Sequence, residues 1–348
     1  MAWFRVMSTM IAAGVMASGQ AVLADDPPAD APDGMVWIPG GAFTMGGVGD
    51  KARQDELPRH RVRVDGFWID RTEVTNAQFA QFVEATGYVT TAERPVDWEE
   101  LRKQLPPGTP RPPVELLAAG SVVFAAPDQA VSLRDVRAWW QFTPGANWRP
   151  PTGPGSSIDG LDDHPVVHVS LRDVAAYAAW AGKDVPTEAE WEFAARGGLA
   201  DQAYAWGDTL APDGRHLANT FTGSFPHHNS EADGFAGLAP VGSFPANGYG
   251  VVDMIGNAWE WTADGYDPMS HRRRFQVGGV ADNPALPVDL DDGGAIAAIR
   301  GGSHLCHASY CSSYRPSARM SQLVSEGNGH LGFRLIKRVA DVEAEPGE

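Results

Sequence analysis

The stretch Gly301-Gly302-Ser303-His304-Leu305-Cys306-His307-Ala308-Ser309-Tyr310-Cys311 contains the only two cysteines of this 348-residue chain. A disulfide between them would close a six-residue loop. The loss of loop entropy in the unfolded chain would then stabilise the fold by only about 2 kcal/mol. One interpretation is a structural disulfide of an exported protein. The other is chemistry, because two close thiols can exchange disulfides or bind a soft ion such as Cu(I) as thiolates. The small gain from so short a loop favours chemistry.

The composition of the rest of the chain excludes several classes of protein. There are 44 acidic against 27 basic side chains, which gives a formal net charge of −17. Such a charge argues against a nucleic-acid-binding protein and against one held on anionic lipid by basic residues. With 43% hydrophobic residues, 12 Trp, 39 Gly and 27 Pro, we expect a globular domain with aromatic packing and much of its backbone in loops.

The N-terminus has the pattern of a cleavable signal peptide. Arg5 is the only charged residue before Asp25, and small residues follow the apolar run at positions 6–17. This run is shorter than the roughly 20 residues that a spanning helix needs, which argues against the alternative of an uncleaved membrane anchor. We therefore expect a signal peptide over 1–24, a flexible leader over 25–34 and export to the periplasm or the medium.

Short strands and capped helices predict an α+β fold. Residues 35–46 are typical of two strands around a Pro-Gly-Gly turn, and residues 61–70 alternate as one half-buried strand does. Three helices are predicted from their caps and glycine stops: Thr75 with Gln78 and Gly87, Ser170 with Gly182, and Thr187 with Glu190 and Gly197. No helix is expected after Gly198, and residues 100–145 and 265–298 are expected to be variable loops.

The segment from His164 to His168 has metal-ligand spacing for a helix, but Pro165 and two valines predict a strand. On a strand those two histidines lie about 13 Å apart, too far to share a metal ion.

The cysteine stretch is part of a longer pattern. It is followed by Arg315, Arg319 and Leu331-Gly332-Phe333-Arg334. Further blocks precede it, in this order: residues 35–46, Glu73-Val74-Thr75-Asn76, residues 145–150, residues 164–170, residues 186–192, Trp206-Gly207, Asn247-Gly248-Tyr249-Gly250 and Gly256-Asn257-Ala258-Trp259-Glu260-Trp261. The pattern resembles that of the formylglycine-generating enzymes, also called sulfatase-modifying factors, over most of residues 35–338. The cysteine pair distinguishes the formylglycine-generating enzymes from other proteins with this fold, because many of those relatives lack it.

The resemblance implies a single irregular, loop-rich α+β domain over residues 35–340. That domain is C-type-lectin-like, has little regular secondary structure and leaves an acidic tail over 341–348. It also implies an oxidase that uses O₂ to convert the cysteine of a sulfatase C-x-P-x-R motif to Cα-formylglycine. Its partner would be an unfolded sulfatase polypeptide. Cys306 and Cys311 would hold Cu(I) as thiolates, and Ser303 would orient O₂ or substrate. His307 and Tyr310 would line the pocket.

The same resemblance assigns roles to acidic residues. Glu73 and Asp97 fall where family members receive the substrate arginine, a role that suits a carboxylate. Two calcium sites are implied, each of hard oxygen donors: Asn219 and Asp233 with the carbonyls of Thr220 and Phe235, and Asp253 and Glu260 with the carbonyls of Gly256 and Ala258. The alternative, from residue type alone, is that these are ordinary turn-forming side chains.

Three departures from the family pattern and two competing functions remain. Pro316 stands where vertebrate enzymes have a structural cysteine, Asp253 where Asn is familiar, and His330 where Asn is common.

A non-catalytic, exported binding or assembly module with a Cys306–Cys311 disulfide is the main alternative function. An iron-dependent sulfoxide synthase is disfavoured, because those enzymes need a helical domain with a histidine cluster that this chain lacks.

Overall fold

The three predicted helices begin at capping boxes. In the computed structural model, which describes residues 27–28 and 30–339, Thr75, Ser170 and Thr187 each accept a hydrogen bond from the N–H three residues on. The side chain of that later residue caps the backbone in return, and a left-handed glycine ends each helix. The described helices are α1 (Asn76–Thr86), α2 (Trp98–Leu101), α3 (Leu171–Ala181), α4 (Glu188–Arg196) and α5 (Ser270–Val277).

The strands are short and form five small sheets in the described part of the chain. They are β1 (Met35–Ile38), β2 (Gly41–Met45), β3 (His60–Val64), β4 (Phe67–Asp70), β5 (Gly120–Phe124), β6 (Trp140–Pro144), β7 (Gly223–Ser224), β8 (His228–Asn229), β9 (Trp259–Gly265), β10 (Val280–Asp282), β11 (Ile296–Arg300), β12 (Arg319–Leu323), β13 (Leu331–Gly332) and β14 (Ile336–Arg338). The largest sheet has the order β12-β11-β9-β13, and two three-stranded sheets have the orders β1-β4-β14 and β10-β3-β2. β5–β6 and β7–β8 are hairpins.

One aromatic core joins the helices to the sheets. Phe79 of α1 is fully buried, with its ring centroid 5.1 Å from that of Trp148, 5.4 Å from that of Phe82 and 5.7 Å from that of Tyr177. Trp191, Trp259 and Trp261 are also fully buried. The architecture is thus the predicted single, irregular, loop-rich α+β domain, in which tryptophan supplies much of the core.

Several local predictions were wrong. Residues 61–70 form two strands, β3 and β4, rather than one. The supposed variable loops at 100–145 and 265–298 contain the β5–β6 hairpin, α5, β10 and most of β11, and α5 contradicts the expectation of no helix after Gly198. The segment 164–168 is not a regular strand, since it makes only an isolated bridge between Pro165 and Thr75, and His168 has a positive φ.

The predicted signal peptide and acidic tail lie outside the described residues, as does part of the leader, so these boundaries stay predictions. Over residues 27–28 and 30–339, no helix combines the length and the apolar character needed to cross a membrane.

Candidate active site

The two cysteines lie in the connection between the antiparallel strands β11 and β12. Arg300 and Arg319 are paired in register, so residues 301–318 form a long excursion from the sheet edge. Gly302 opens this excursion with a φ of 74°, and a Cβ there would lie 2.9 Å from the backbone of Ser313 and Tyr314. Only glycine fits both the dihedral angle and the space. The Gly-Gly pair therefore permits the sharp exit from β11.

Cys306 and Cys311 are joined as a disulfide, with their Cα atoms 4.7 Å apart. The Cys306 N–H donates to the Ser303 carbonyl at 2.8 Å, and the Cys311 N–H donates to the His307 carbonyl at 2.8 Å. Cys306 is 1% exposed, whereas Cys311 is half-buried. Two tight turns thus hold both sulfurs together, one deep and one towards the surface.

Ser303 and His330 meet beside this pair. The Ser303 Oγ lies 2.9 Å from His330 Nδ1, and both residues are buried. Ser303 Oγ also accepts a hydrogen bond of 3.2 Å from the Leu305 N–H. Burial, with the neighbouring imidazoles of His304 and His168, holds the pKa of His330 well below its usual range. His330 is therefore neutral at physiological pH.

An aromatic cluster surrounds Tyr310, the residue that precedes the outer cysteine. The Tyr310 ring stacks on Phe225 at 4.6 Å and meets Trp139 edge-on at 5.4 Å. Trp140, from β6, packs against the His330 ring at 4.8 Å, and its indole Nε1 donates to the Tyr310 hydroxyl at 3.4 Å. Tyr310 remains 38% exposed. An amphipathic aromatic surface thus flanks the more accessible sulfur.

His307, which was predicted to line the pocket, lies partly exposed on the same loop. Its Nδ1 lies 2.8 Å from the Ser309 Oγ, and its ring meets Phe221 edge-on at 6.2 Å. Burial lowers the pKa of His307.

A cleft of 390 Å³ reaches the cysteine segment at His304 and Leu305. Its walls include Phe124, Trp148, Phe221, His304 and Leu305. The cleft is mainly apolar, so it offers a surface for apolar groups at the two residues that precede Cys306.

Buried ion pairs anchor the cysteine segment at both ends. Arg300 donates to Glu188 at 3.0 Å and to Glu192 at 2.6 Å, and these three side chains are almost fully buried. Arg315 binds Glu56 through both terminal nitrogens, at 2.6 and 2.7 Å. Breaking a buried pair costs about 3–5 kcal/mol. These ion pairs therefore fix both ends of the cysteine segment to the surrounding core.

The donors of the cysteine turn suit a soft ion with low coordination. The two sulfurs are adjacent, and thiolates are the ligands that Cu(I) prefers. Within residues 27–28 and 30–339, no three His, Cys, Asp or Glu side chains form a group that could hold a metal ion. Once reduced, Cys306 and Cys311 would be the two residues that hold Cu(I) as thiolates. The predicted calcium sets would depend on backbone carbonyls.

The first predicted calcium set comes together in one loop. Asp233 accepts hydrogen bonds from the N–H groups of Thr220 at 2.8 Å and Phe235 at 3.2 Å. Asn219 is 1% exposed, and its amide donates to the Gly237 carbonyl at 2.8 Å. Carboxylate and carbonyl oxygens are the donors that a hard cation prefers, so this set stays a prediction, with both Asp233 oxygens also engaged by backbone N–H groups. The loop also supports the site directly, because the Phe221 N–H donates to the Cys306 carbonyl at 3.1 Å.

The contacts favour the second predicted calcium set less. The Glu260 carboxylate already accepts from both Arg334, at 2.7 and 2.8 Å, and the Trp191 indole, at 2.7 Å. Asp253 accepts from the Gly242 N–H at 2.5 Å. The calcium site that these side chains would form with the Gly256 and Ala258 carbonyls stays a prediction. The Arg334 guanidinium already supplies positive charge at Glu260.

The loop of that second set nevertheless supports the cysteine segment. The Gly256 N–H donates to the Gly301 carbonyl at 3.0 Å, and the His304 N–H donates to the Asn257 carbonyl at 2.8 Å.

Glu73 and Asp97, predicted to bind a substrate arginine, lie in different environments. Glu73 is fully buried, and its Oε1 accepts from the Asn257 amide at 2.9 Å. Its Oε2 has no hydrogen-bond partner and lies 3.9 Å from the Arg334 guanidinium. Burial, then the charge of Asp253, raises the pKa of Glu73 well above its usual range. Asp97, in contrast, is exposed at the start of α2 and accepts from the Glu99 N–H. Only Asp97 is open to an incoming arginine.

The sequence alone did not identify two neighbours of the cysteines. Trp140 fell in a supposed variable loop, although the Trp139-Trp140 doublet is an unusual feature for such a loop. In the sequence, His330 stands out only as a departure from the family pattern. Neither spacing nor residue type connects His330 with Ser303, 27 positions away.

Comparison with known proteins places the chain in a family. A sulfatase-modifying factor enzyme 1-like domain matches residues 20–339. Over 303 residues the chain is 46% identical to the formylglycine-generating enzyme of Mycobacterium tuberculosis, covering 87% of this chain and 97% of that protein. It is 38% identical over 303 residues to a mouse protein named inactive C-alpha-formylglycine-generating enzyme 2, covering 86% of this chain and 84% of that protein.

A solved structure supports the same fold. PvdO from Pseudomonas aeruginosa is similar with a TM-score of 0.56 and 26% identity, over 88% of this chain and 94% of that chain. The fold and the domain match thus define the class of proteins with a sulfatase-modifying factor enzyme 1-like domain. The chain belongs to the sulfatase-modifying factor family, that of the formylglycine-generating enzymes.

Proposed function

We propose that this protein activates sulfatases by converting a cysteine of the sulfatase polypeptide to Cα-formylglycine. The observation that carries the proposal is the Cys306–Cys311 pair, held beside Ser303 with one sulfur near the surface. The similarity to a relative named formylglycine-generating enzyme, at 46% identity, supports the same activity.

The reaction in this proposal uses O₂ and an external thiol reductant. The substrate CH₂–SH group becomes CHO, and sulfur leaves as H₂S. One oxygen atom enters the aldehyde, the other leaves as water, and two reducing equivalents balance the change. Cu(I), when bound by the two thiolates, would supply the activation of O₂.

The chain's own residues would bind and orient the substrate in this proposal. Ser303 has a hydroxyl fixed by two hydrogen bonds, so it would present a directed polar group to the bound cysteine. Tyr310 and Trp140 form an aromatic wall for the substrate peptide, with the His307 ring on the same loop. For the arginine of C-x-P-x-R we retain Asp97, because it is exposed.

Calcium and export also belong to the proposal. We retain the first calcium set, because its loop hydrogen-bonds to Cys306 and a cation there would stabilise the position of the buried sulfur. Export would bring the enzyme to sulfatases in the periplasm before they fold. Fusions of residues 1–24 to a reporter test this proposal, and a reporter that stays in the cytosol would contradict it.

A non-catalytic module is the second candidate function. The disulfide between Cys306 and Cys311 favours it, because a sulfur in a disulfide is not a metal ligand.

The deciding experiment uses the purified protein, reduced and loaded with one equivalent of Cu(I), and a peptide with C-x-P-x-R. We expect the peptide to lose about 18 Da, which ordinary thiol oxidation cannot produce because it either adds oxygen or, in disulfide formation, removes only hydrogen. Cys306→Ser and Cys311→Ser should each abolish the loss and cost at most about 2 kcal/mol of stability. Unchanged peptide with the wild-type protein, or full turnover by either variant, would favour the module instead.

A second peptide tests the arginine contact. Asp97→Asn should raise KM for C-x-P-x-R but not for C-x-P-x-A. An equal effect on both peptides would remove Asp97 from the binding site.

A further inference from the structure

We propose that His330 is a positioning residue of this site: through its hydrogen bond to Ser303, it orients the serine hydroxyl and the turn that carries Cys306. The inference rests on the proposed function, and it concerns a residue that departs from the family pattern.

A chain of short contacts connects His330 to Cys306. His330 Nδ1 lies 2.9 Å from the Ser303 Oγ, and that oxygen accepts the Leu305 N–H at 3.2 Å. The Ser303 carbonyl accepts the Cys306 N–H at 2.8 Å. With one hydrogen and two lone pairs, the Ser303 hydroxyl has two of its three directions fixed by these bonds. Its one remaining direction is thereby set by His330 and Leu305.

His330 is itself held on several sides. Its carbonyl accepts the Trp259 N–H at 2.8 Å, and its own N–H donates to the Asn328 side chain at 3.2 Å. The Trp140 ring packs on the imidazole at 4.8 Å and also reaches the Tyr310 hydroxyl. One imidazole therefore connects the inner turn, at Cys306, with the aromatic wall beside Cys311.

The environment makes His330 a hydrogen-bond partner rather than a base. Burial, with the smaller effect of His304 and His168, holds the pKa of His330 well below its usual range. Transfer of a thiol proton to such a group is unfavourable, because a free thiol has a pKa of about 8.5. A neutral ring can nevertheless orient Ser303. An asparagine would put an amide oxygen or nitrogen close to the position of Nδ1, so His330→Asn is the conservative variant.

The test compares His330→Leu, His330→Asn and a matched control, Ser121→Ala. The control removes another buried serine–histidine hydrogen bond, 2.8 Å long, between Ser121 and His168, together with the 2.9 Å bond from Ser121 to the Gly327 carbonyl, and it leaves the Ser303–His330 bond in place. With the C-x-P-x-R peptide, we expect His330→Leu to lower kcat about tenfold or more while KM changes little, since small misplacements are costly. We expect His330→Asn to recover most of the rate and Ser121→Ala to retain it. Urea unfolding should give similar stability losses for His330→Leu and Ser121→Ala.

Two further readouts make the inference separable from the proposed function. The pH profile of kcat between pH 6 and 8 should keep its shape in His330→Asn; loss of an ionisation there would identify His330 as a base and overturn the inference. If the wild-type protein does not convert the peptide, the proposed function fails, and iodoacetamide labelling of the reduced cysteines tests the positioning alone. His330→Leu should then change the Cys306 labelling rate about threefold or more, and Ser121→Ala should not. The inference would be overturned if His330→Leu had the same kcat and the same labelling rate as the wild type. It would also be overturned if His330→Asn folded but had a kcat as low as that of His330→Leu.

Discussion

Replacing Glu192 by glutamine should destabilise the protein by about 3 kcal/mol at pH 7. Glu192 is fully buried in α4, where it accepts hydrogen bonds from Arg300 at 2.6 Å, Arg196 at 2.5 Å and the Gly46 N–H at 2.9 Å. Burial alone would raise the pKa of Glu192, but Arg196, Arg300 and the Gly46 N–H outweigh it and lower the pKa to about 2. A shift from 4.5 to about 2 corresponds to about 3 kcal/mol of stability.

The sign of the pH dependence follows from the lowered pKa. A carboxylate with a lowered folded-state pKa contributes its full stabilisation above its unfolded pKa and loses it as the pH falls through the folded value. For Glu192 this window runs from 4.5 down to about 2. The difference in unfolding free energy between wild type and Glu192→Gln should therefore be full at pH 7 and fall to about half at pH 3.

Urea unfolding at both pH values measures this difference. Glu84→Gln is the matched control, because Glu84 is exposed on α1, and it should change stability by less than about 0.5 kcal/mol. A Glu192→Gln effect below about 1 kcal/mol at pH 7, or one that stays constant down to pH 3, would refute the assignment of this buried charge as a stabilising anchor of Arg300.

Three more predictions follow from packing, cation binding and a buried indole. Phe79→Ala should lower the unfolding free energy by about 3–5 kcal/mol, measured in urea, because the ring is fully buried among four aromatic rings; a loss below about 1 kcal/mol would contradict this packing. Excess calcium after chelation should raise the melting temperature of the wild type but not of Asp233→Asn, and an equal response of both would exclude the loop as a calcium site. Trp191→Phe should cost about 1–3 kcal/mol in urea, since Glu260 then loses a buried donor; an unchanged midpoint would show that the indole bond is not needed.

Helices with strong local signals were predictable, and those without were not. Thr75, Ser170 and Thr187 identify their helices because a capping box is formed by residues three apart, whatever the rest of the chain does. Helix α5 lacks such a box and an apolar stripe, and only Ser270 and His271 are buried in it. It is supported instead by contact with β3 and the turn at Gln54–Glu56. Tertiary contacts therefore decide whether this segment is helical.

The β5–β6 hairpin shows the same limit for strands. Glycine and proline at its ends indicate a loop, yet Gly120 pairs with Pro144 and Phe124 with Trp140 across the hairpin. Strand preference depends on what packs on each face, which a local pattern does not contain. In consequence, the sequence alone did not reveal that Trp140 belongs to the site.

For this protein, the sequence by itself determined the reactive residue types and the local geometry around them. Cys306, Cys311 and Ser303 lie within one short segment, so turns and glycine dihedral angles suffice to bring them together. Only the tertiary structure decided that His330 contacts Ser303 and that Glu73 is buried while Asp97 is exposed. Burial, and the protonation state that follows from it, depend on which distant segments pack around a side chain, and no local pattern specifies that packing.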